Sequence, residues 1–281
     1  MPDKKERKDI SIEVKEYHTP SSGIFFKASR QLYKQDSPYQ RIEVIQNEHF
    51  GRVLLLDGLV QTTEKDEFFY HEMLVHPALQ VHPSPQNLLI IGGGDGGVLK
   101  EILRYPIKSV CLVEIDPMVI DVSKEYFPWL SSSLDDERSE LIIADGREFV
   151  RKTDRKFDVA IIDSSDPVGP SVSLHEKNFF SHIKECLNED GIVVGQAGSP
   201  FFFLDSIKKK NDFLRTLFRI VRFYSSPVPT YPGGIWAFFY ISDRVQPLKI
   251  KGSPPGNLKF YNSDIHQAAF SLPSFFKEML D

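Results

Sequence analysis

Five carboxylates stand where an apolar run of this sequence stops: Asp95 in "IIGGGDGG", Glu114 in "LVEID", Asp145 in "IIADG", and Asp163 and Asp166 in "IIDSSDPVGP". An apolar run that ends in a polar or glycine-rich turn reads as a buried strand reaching the edge of its sheet. The five acids are therefore expected at one edge, facing one crevice. Any one of them alone would pass as a turn residue. Together they repel one another and lose hydration, which is costly unless cations or hydrogen-bond donors fill the space. The quoted motifs hold no positive side chain, so the neutralising charge is expected to come from a ligand. A hard metal ion is one answer, although His71, His76 and His82 do not fall in a zinc pattern. A sulfonium or a polyamine is the other.

The glycine loop follows a strand and opens a helix, where a doubly wound sheet binds its nucleotide. Bare N–H groups at a helix N-terminus favour anions, and Asp95 among them would repel a pyrophosphate. The loop suits a nucleoside with a cationic appendage better than a dinucleotide. Glu114, nineteen residues after Asp95, is placed to accept from ribose hydroxyls. Asp116, just ahead of Pro117, is the better helix cap of the pair. Asp145 can accept from an adenine amino group, with Gly146 letting the ring approach the backbone, and a plain Asp-Gly turn explains the two equally well. Ser164 and Ser165 read as hydroxyl relays or as turn caps.

The elements that must hold these residues follow from periodicity. Up to about residue 63, "ISIEVKEY", "GIFFKASRQLYK", "YQRIEVIQ" and "GRVLLLDGLVQTT" alternate apolar and polar residues between turn signals, which predicts short antiparallel strands. "KDEFFYHEMLVHPAL" has helical spacing, with Phe68, Met73 and Val75 on neighbouring turns before Pro77. Solid apolar strands then alternate with helical segments, which predicts a parallel sheet covered on both faces. Two strands within "IVRFYSSPVPTYPGGIWAFFYISD" are expected to close it antiparallel. The expected fold is α/β: a Rossmann-like, methyltransferase-type sheet, mostly parallel with antiparallel C-terminal strands, behind a small antiparallel β domain. The expected boundaries are a mobile tail over 1–9, the β domain over 10–64 and the catalytic domain over 65–281. "IKKKN", at 207–211, reads as a solvated helix face.

A net charge of −5 over 281 residues carries no basic footprint for nucleic acid. No run reaches the roughly 18 apolar residues of a membrane span, and "MPDKKERKD" lacks the apolar stretch of a signal peptide. Cys111 and Cys186 lie in apolar surroundings and read as buried thiols of a reducing, cytoplasmic compartment.

The segments "YQRIEV", "FGRVLLLDGLVQTTEKDEFFYHE", "LLIIGGGDGGVLKE", "LVEIDPMVI", "ADGREFV", "DVAIIDSSDPVGP", "PTYPGG" and "YNSDIHQAAFSLP" occur in this order. Over nearly its whole length the chain resembles the polyamine aminopropyltransferases, the spermidine synthases among them. The resemblance implies transfer of the aminopropyl group of decarboxylated S-adenosylmethionine to putrescine, with that donor as a co-substrate and no cofactor or metal. It further implies a homodimer or homotetramer formed through the N-terminal region. By this likeness Asp163 is the proton acceptor. Gln40, Gln61, Asp95, Glu114, Asp145, Gly146, Asp163 and Pro170 meet the donor. Tyr70, His71, Asp95, Asp163, Ser164, Ser165, Asp166 and Tyr231 meet the acceptor amine. His71 and Trp236 occupy positions that vary between family branches, and a guanidinium stacked on Trp236 would make agmatine the acceptor. Methyltransferases using intact S-adenosylmethionine share the glycine loop and the Glu114 and Asp145 positions. Asp95 and Asp163 count against them, since the intact donor carries a carboxylate where these acids point.

Overall fold

In the computed structural model of the chain, residues 12–164, 174 and 176–280 are described. The tail expected at 1–9, and Ser165, Asp166 and Pro170, lie outside the described residues. The chain divides into two compact units, at Met1–Lys65 and Asp66–Asp281.

In the first unit, β1 (Ile12–Thr19) and β2 (Ser22–Ala28) form an antiparallel pair. The strands β3 (Arg30–Asp36), β4 (Arg41–Asn47), β5 (Gly51–Leu56) and β6 (Leu59–Thr63) form an antiparallel meander. Alternating residues close its core, with Phe26, Ala28, Ile45, Val53, Leu55 and Val60 buried together. "GIFFKASRQLYK", which reads as one alternating stretch, is two strands in two sheets, parted at Ser29. Gln40 sits in the turn before β4, where Ser37 N–H donates to its carbonyl at 2.8 Å. Gln61 lies half-buried on β6.

The second unit opens with α1 (Glu67–Leu79), followed by β7 (Asn87–Gly92), α2 (Gly97–Ile102), β8 (Ser109–Glu114), α3 (Pro117–Tyr126) and the single turn α4 (Pro128–Ser131). Then come β9 (Ser139–Ile143), α5 (Gly146–Lys152), β10 (Phe157–Asp163), α6 (Lys177–Glu185), β11 (Leu187–Gly198) and α7 (Leu204–Leu217). The strands β12 (Ile220–Pro227) and β13 (Ile235–Ser242) and the helices α8 (Ser263–Ala269) and α9 (Ser274–Leu280) complete it. The sheet order is β12-β13-β11-β10-β7-β8-β9. β7 to β11 run parallel, and β13 is antiparallel to both β11 and β12.

Leu88 and Ile90 of β7 pack in one buried cluster with Met73 and Leu74 of α1. Leu89 and Ile91 pack in another with Phe179 and Phe180 of α6. Both faces are covered, which is why the strand reads as a solid apolar run rather than an alternating one. Cys111 and Cys186 are buried free thiols, and burial pushes that of Cys111 up to about 11. Among the described residues no helix is long and apolar enough to cross a membrane.

Two local departures from the sequence reading have clear causes. α1 continues through Pro77 to Leu79. Proline has no N–H for the carbonyl four residues back, and the Tyr224 hydroxyl donates to that carbonyl, Met73 O, at 2.9 Å instead. In "IKKKN", Lys208 and Lys209 are exposed but Lys210 is buried, its Nζ 5.3 Å from the centre of the Phe239 ring. Its long stem follows the apolar face while the ammonium meets an aromatic one.

Candidate active site

The strand order reverses beside β7, with β8 on one side and β10 on the other. This is the switch point at which an open parallel sheet has a crevice at its C-terminal edge. Asp163 ends β10 opposite Gly92 of β7, and Gly93 N–H donates to its carbonyl at 3.0 Å. Two of the loop glycines make room for side chains. Gly93 has φ +71°, and a Cβ there would sit 2.9 Å from Asp163 Oδ2. At Gly97 a Cβ would meet the His71 ring at 2.1 Å. The loop is glycine-rich because an acid and an imidazole crowd its backbone.

A chain of polar contacts runs from this edge into the α1–α2 layer. The Tyr70 hydroxyl donates to Asp163 Oδ1 at 2.7 Å. His71 Nε2 faces Asp95 Oδ2 at 3.5 Å, and its Nδ1 lies 2.8 Å from Glu67 Oε2. Lys100 of α2 donates to Glu67 Oε1 at 2.9 Å. Asp95 Oδ1 accepts from Gly97 N–H at 2.8 Å, which pins the acid within its own loop.

The charges follow from this geometry. Burial acts to lower the His71 pKa, but the carboxylates of Asp95 and Glu67 outweigh it and lift the ring to about 10, so it is an imidazolium at neutral pH. Burial acts to raise Glu67, and His71 and Lys100 overcome it, holding that carboxyl at about 2. Asp163 is pushed up to about 6, by burial first and by the Asp95 charge second, against the opposing pull of His71 and of the Tyr70 hydrogen bond. Burial and the nearby Asp163 charge drive the Tyr70 phenol well above its ordinary value, so it stays protonated and donates to Asp163. The quoted motifs hold no positive side chain, but the fold supplies one from outside them. His71 stands between the acids as a built-in cation, because α1 lays its Glu67–His71 face onto the loop.

Glu114 is buried at the end of β8, where Oε2 accepts from Gly94 N–H at 3.1 Å and Oε1 from Asp116 N–H at 2.9 Å. Burial lifts its carboxyl to about 7 against those two donors. Asp116 caps α3 through Met118 N–H at 3.0 Å, which leaves Glu114 out of capping. Asp145, beyond β9 and half-buried, caps α5 through Arg147 N–H at 2.8 Å. A Cβ on Gly146 would lie 2.5 Å from Ile91, so side-chain packing already requires that glycine. The Ser164 carbonyl accepts from Gln196 Nε2 at 3.2 Å.

On the far side of Tyr70, the Tyr231 ring lies 5.5 Å away, and the Trp236 ring meets Tyr231 edge-on at 4.8 Å. Trp236 is only 4% exposed, so its face is not open to a stacking guanidinium. Asp66 Oδ2 accepts from Thr230 N–H at 3.1 Å and from its hydroxyl at 2.8 Å, which holds the loop that carries Tyr231.

Tyr70, His71, Asp95, Asp163 and Tyr231 are thus brought together, with Glu114 at the end of β8 and Asp145 just past β9. Gln40 and Gln61 belong to the first unit. Glu67, Lys100 and Asp66 were not anticipated. Glu67 and His71 are four apart on one helix face, a spacing that signals a pair, whereas the Lys100 contact depends on how α1 packs on α2.

Residues 67–250 match the spermine/spermidine synthase domain family, and residues 14–64 match the spermidine synthase tetramerisation domain family. The polyamine aminopropyltransferase of Caldicellulosiruptor saccharolyticus is 43% identical over 97% of this chain and 99% of its own length. That of Moorella thermoacetica is 44% identical over 95% of each. Two solved structures align at near full length. A spermidine synthase in complex with the transition state analogue AdoDATO has a TM-score of 0.93 and 39% identity, covering 96% of this chain and 94% of that one. The spermidine synthase of Thermotoga maritima has a TM-score of 0.91 and 38% identity, at the same coverage.

Proposed function

We propose that this chain, which belongs to the spermine/spermidine synthase family of polyamine aminopropyltransferases, transfers the aminopropyl group of decarboxylated S-adenosylmethionine to putrescine. The products are spermidine and 5′-methylthioadenosine. Transfer of an aminopropyl group follows from likeness over nearly the full length to polyamine aminopropyltransferases and spermidine synthases. The observation that carries the reading of the site is the 2.7 Å hydrogen bond from Tyr70 to Asp163, beside Asp95, at the switch point of the sheet.

The reaction is a displacement at the aminopropyl carbon next to sulfur. The amine nitrogen forms the new C–N bond as the C–S bond breaks, and the bonding pair goes to sulfur, which leaves as a neutral thioether. A sulfonium is already a good leaving group, so the protein has to align the two substrates and supply a neutral amine. An alkylamine has a pKa of about 10. Asp163, at about 6, is a stronger base than an ordinary carboxylate and takes the proton from the attacking nitrogen. Tyr70 keeps one Asp163 oxygen engaged and leaves the other for that proton. Asp95 meets the donor's amino end, and Tyr70, His71 and Tyr231 line the acceptor slot. We extend the family likeness to Gln40, Gln61, Asp145, Gly146 and Pro170 as donor contacts, and to Ser164, Ser165 and Asp166 as acceptor contacts. The reaction needs no cofactor beyond its co-substrate. The match of residues 14–64 to a tetramerisation domain supports a homodimer or homotetramer, and the two buried, unbridged thiols support a cytoplasmic setting.

Glu114 is assigned to the ribose hydroxyls. Glu114→Gln is expected to weaken methylthioadenosine binding by about tenfold to a hundredfold, the scale of hydrogen bonds to a charged group. Wild-type affinity should also fall as pH drops through about 7, because the ribose binds the ionised carboxylate, and this dependence should vanish in the variant. Calorimetric titration across that range reads both effects, and unchanged affinity makes Glu114 a structural residue.

Putrescine is tested by mass-spectrometric product analysis against cadaverine, agmatine and spermidine. One extra methylene costs roughly 1 kcal/mol of apolar fit and moves the distal charge off its partner. Putrescine is therefore expected to lead cadaverine by about tenfold or more in kcat/KM, with spermidine poor. A lead for agmatine or spermidine overturns putrescine as the acceptor and leaves aminopropyl transfer standing.

A further inference from the structure

Glu67 makes no contact in the reaction just described, yet it is buried one helical turn before His71 with both oxygens engaged. Lys100, which holds its second oxygen, is gripped from the other side by Glu101 Oε1 at 3.4 Å. Glu101 is itself buried, with His76 Nε2 at 3.2 Å and Arg104 Nε at 2.6 Å. Acids and bases alternate across the α1–α2 contact and end at Asp95. Buried charges persist only when each is paired, and removing one member leaves its neighbour uncompensated. A ladder so arranged therefore fixes the charge and orientation of its last member.

We propose that Glu67, buttressed by Lys100, is a positioning residue for aminopropyl transfer: it holds the His71 ring as a donor at both nitrogens, so that Nε2–H stays aimed at Asp95 and Asp95 stays oriented for the cationic end of the donor. This rests on the reading that Asp95 meets that amino end. With Nδ1 directed at Glu67, a neutral His71 keeps its one proton there and turns a lone pair toward Asp95. Two acceptors would then face each other, and Asp95 would turn its Oδ2 away from the ring. The groups facing His71 are Glu67 and Tyr70 from α1, Asp95 from the glycine loop and Asp163 from β10, with Lys100 of α2 acting through Glu67. Without Glu67, only the loop and β10 acids remain among the described residues to hold the ring charged.

Glu67→Gln tests this by its pH profile. Near pH 6 the imidazole is still protonated in the variant, and kcat/KM for the decarboxylated donor should approach that of the wild type. Above about pH 8 it should fall about tenfold or more below the wild type, with the alkaline limb moved to lower pH and methylthioadenosine affinity unchanged. A loss that is the same at every pH, or no loss, overturns the proposal, since packing alone would not produce a pH-dependent gap. Should the variant not fold, the wild-type protein decides. NMR titration of the labelled His71 ring, assigned by its absence in His71→Gln, must show an imidazolium at pH about 8, and a neutral ring overturns the proposal. A wild type that transfers no aminopropyl group at all would instead sink the proposed function, while the ring titration would still report on His71.

Discussion

Asp163→Asn is expected to lower kcat by about a hundredfold or more, the scale of a lost general base, while the protein stays folded and still binds methylthioadenosine. Asparagine has the same shape and keeps an oxygen to accept the Tyr70 hydroxyl, so the 2.7 Å contact at the edge of β10 survives. It cannot take a proton from the attacking amine. The wild-type pH profile carries the same information. Asp163 works only when ionised, and burial and the Asp95 charge raise its pKa to about 6. On the acid side kcat/KM should therefore fall as pH drops through about 6, and this limb should be absent from the residual activity of the variant. Steady-state kinetics with a methylthioadenosine titration as the control check both points. Near-normal turnover in the variant would remove Asp163 from the chemistry.

The parts of this protein legible in its sequence are those whose cause is local. β7, β8 and β10 announce themselves because both faces of the sheet are covered, so that each strand is a solid apolar run ending at an acid or a glycine. Asp116 is visible as a cap because Pro117 follows it, and it does cap α3. The rest depends on packing between distant segments. "DEFFYHE" reads as an apolar helical face, yet Glu67 and His71 of that stretch are the buried charges that meet Lys100 and the glycine loop. Nothing in the spacing of Lys100 shows that α2 will lie against α1. Trp236 looks available when read as one aromatic beside a Pro/Gly turn, and only the edge-on contact with Tyr231 shows that it is covered. Gly146 suits an adenine-binding turn, and the nearness of Ile91, which requires it regardless, comes from the neighbouring strand. The same limit applies to the acids: the placing of Asp95, Glu114, Asp145 and Asp163 at strand ends was readable, but the imidazolium beside Asp95 was not.

That imidazolium decides how sharply the site tells its donor from intact S-adenosylmethionine, which differs by one carboxylate. Among the described residues Asp95 and Asp163 share one nearby cation, His71, whose other face is spent on Glu67. A third carboxylate brought to this edge by the intact donor would add to the charge of Asp95 and Asp163, where Tyr70 already donates to Asp163 and Gly97 N–H to Asp95. Like charges brought together in a desolvated site cost several kcal/mol, and about 4 kcal/mol corresponds to a thousandfold in affinity. The intact donor is therefore expected to bind at least about a thousandfold more weakly than the decarboxylated one at neutral pH. The sign of the pH dependence is also set. As pH falls through about 6 Asp163 takes up a proton, one of the repelling charges disappears, and the gap between the two donors should narrow. Competitive calorimetry of both donors at pH about 8 and about 5 reads the ratio at each end. A methyltransferase would prefer the intact donor at both. Comparable affinities at pH about 8, or a ratio that does not move with pH, would show that Asp95 and Asp163 do not face the part of the donor where the carboxylate was lost.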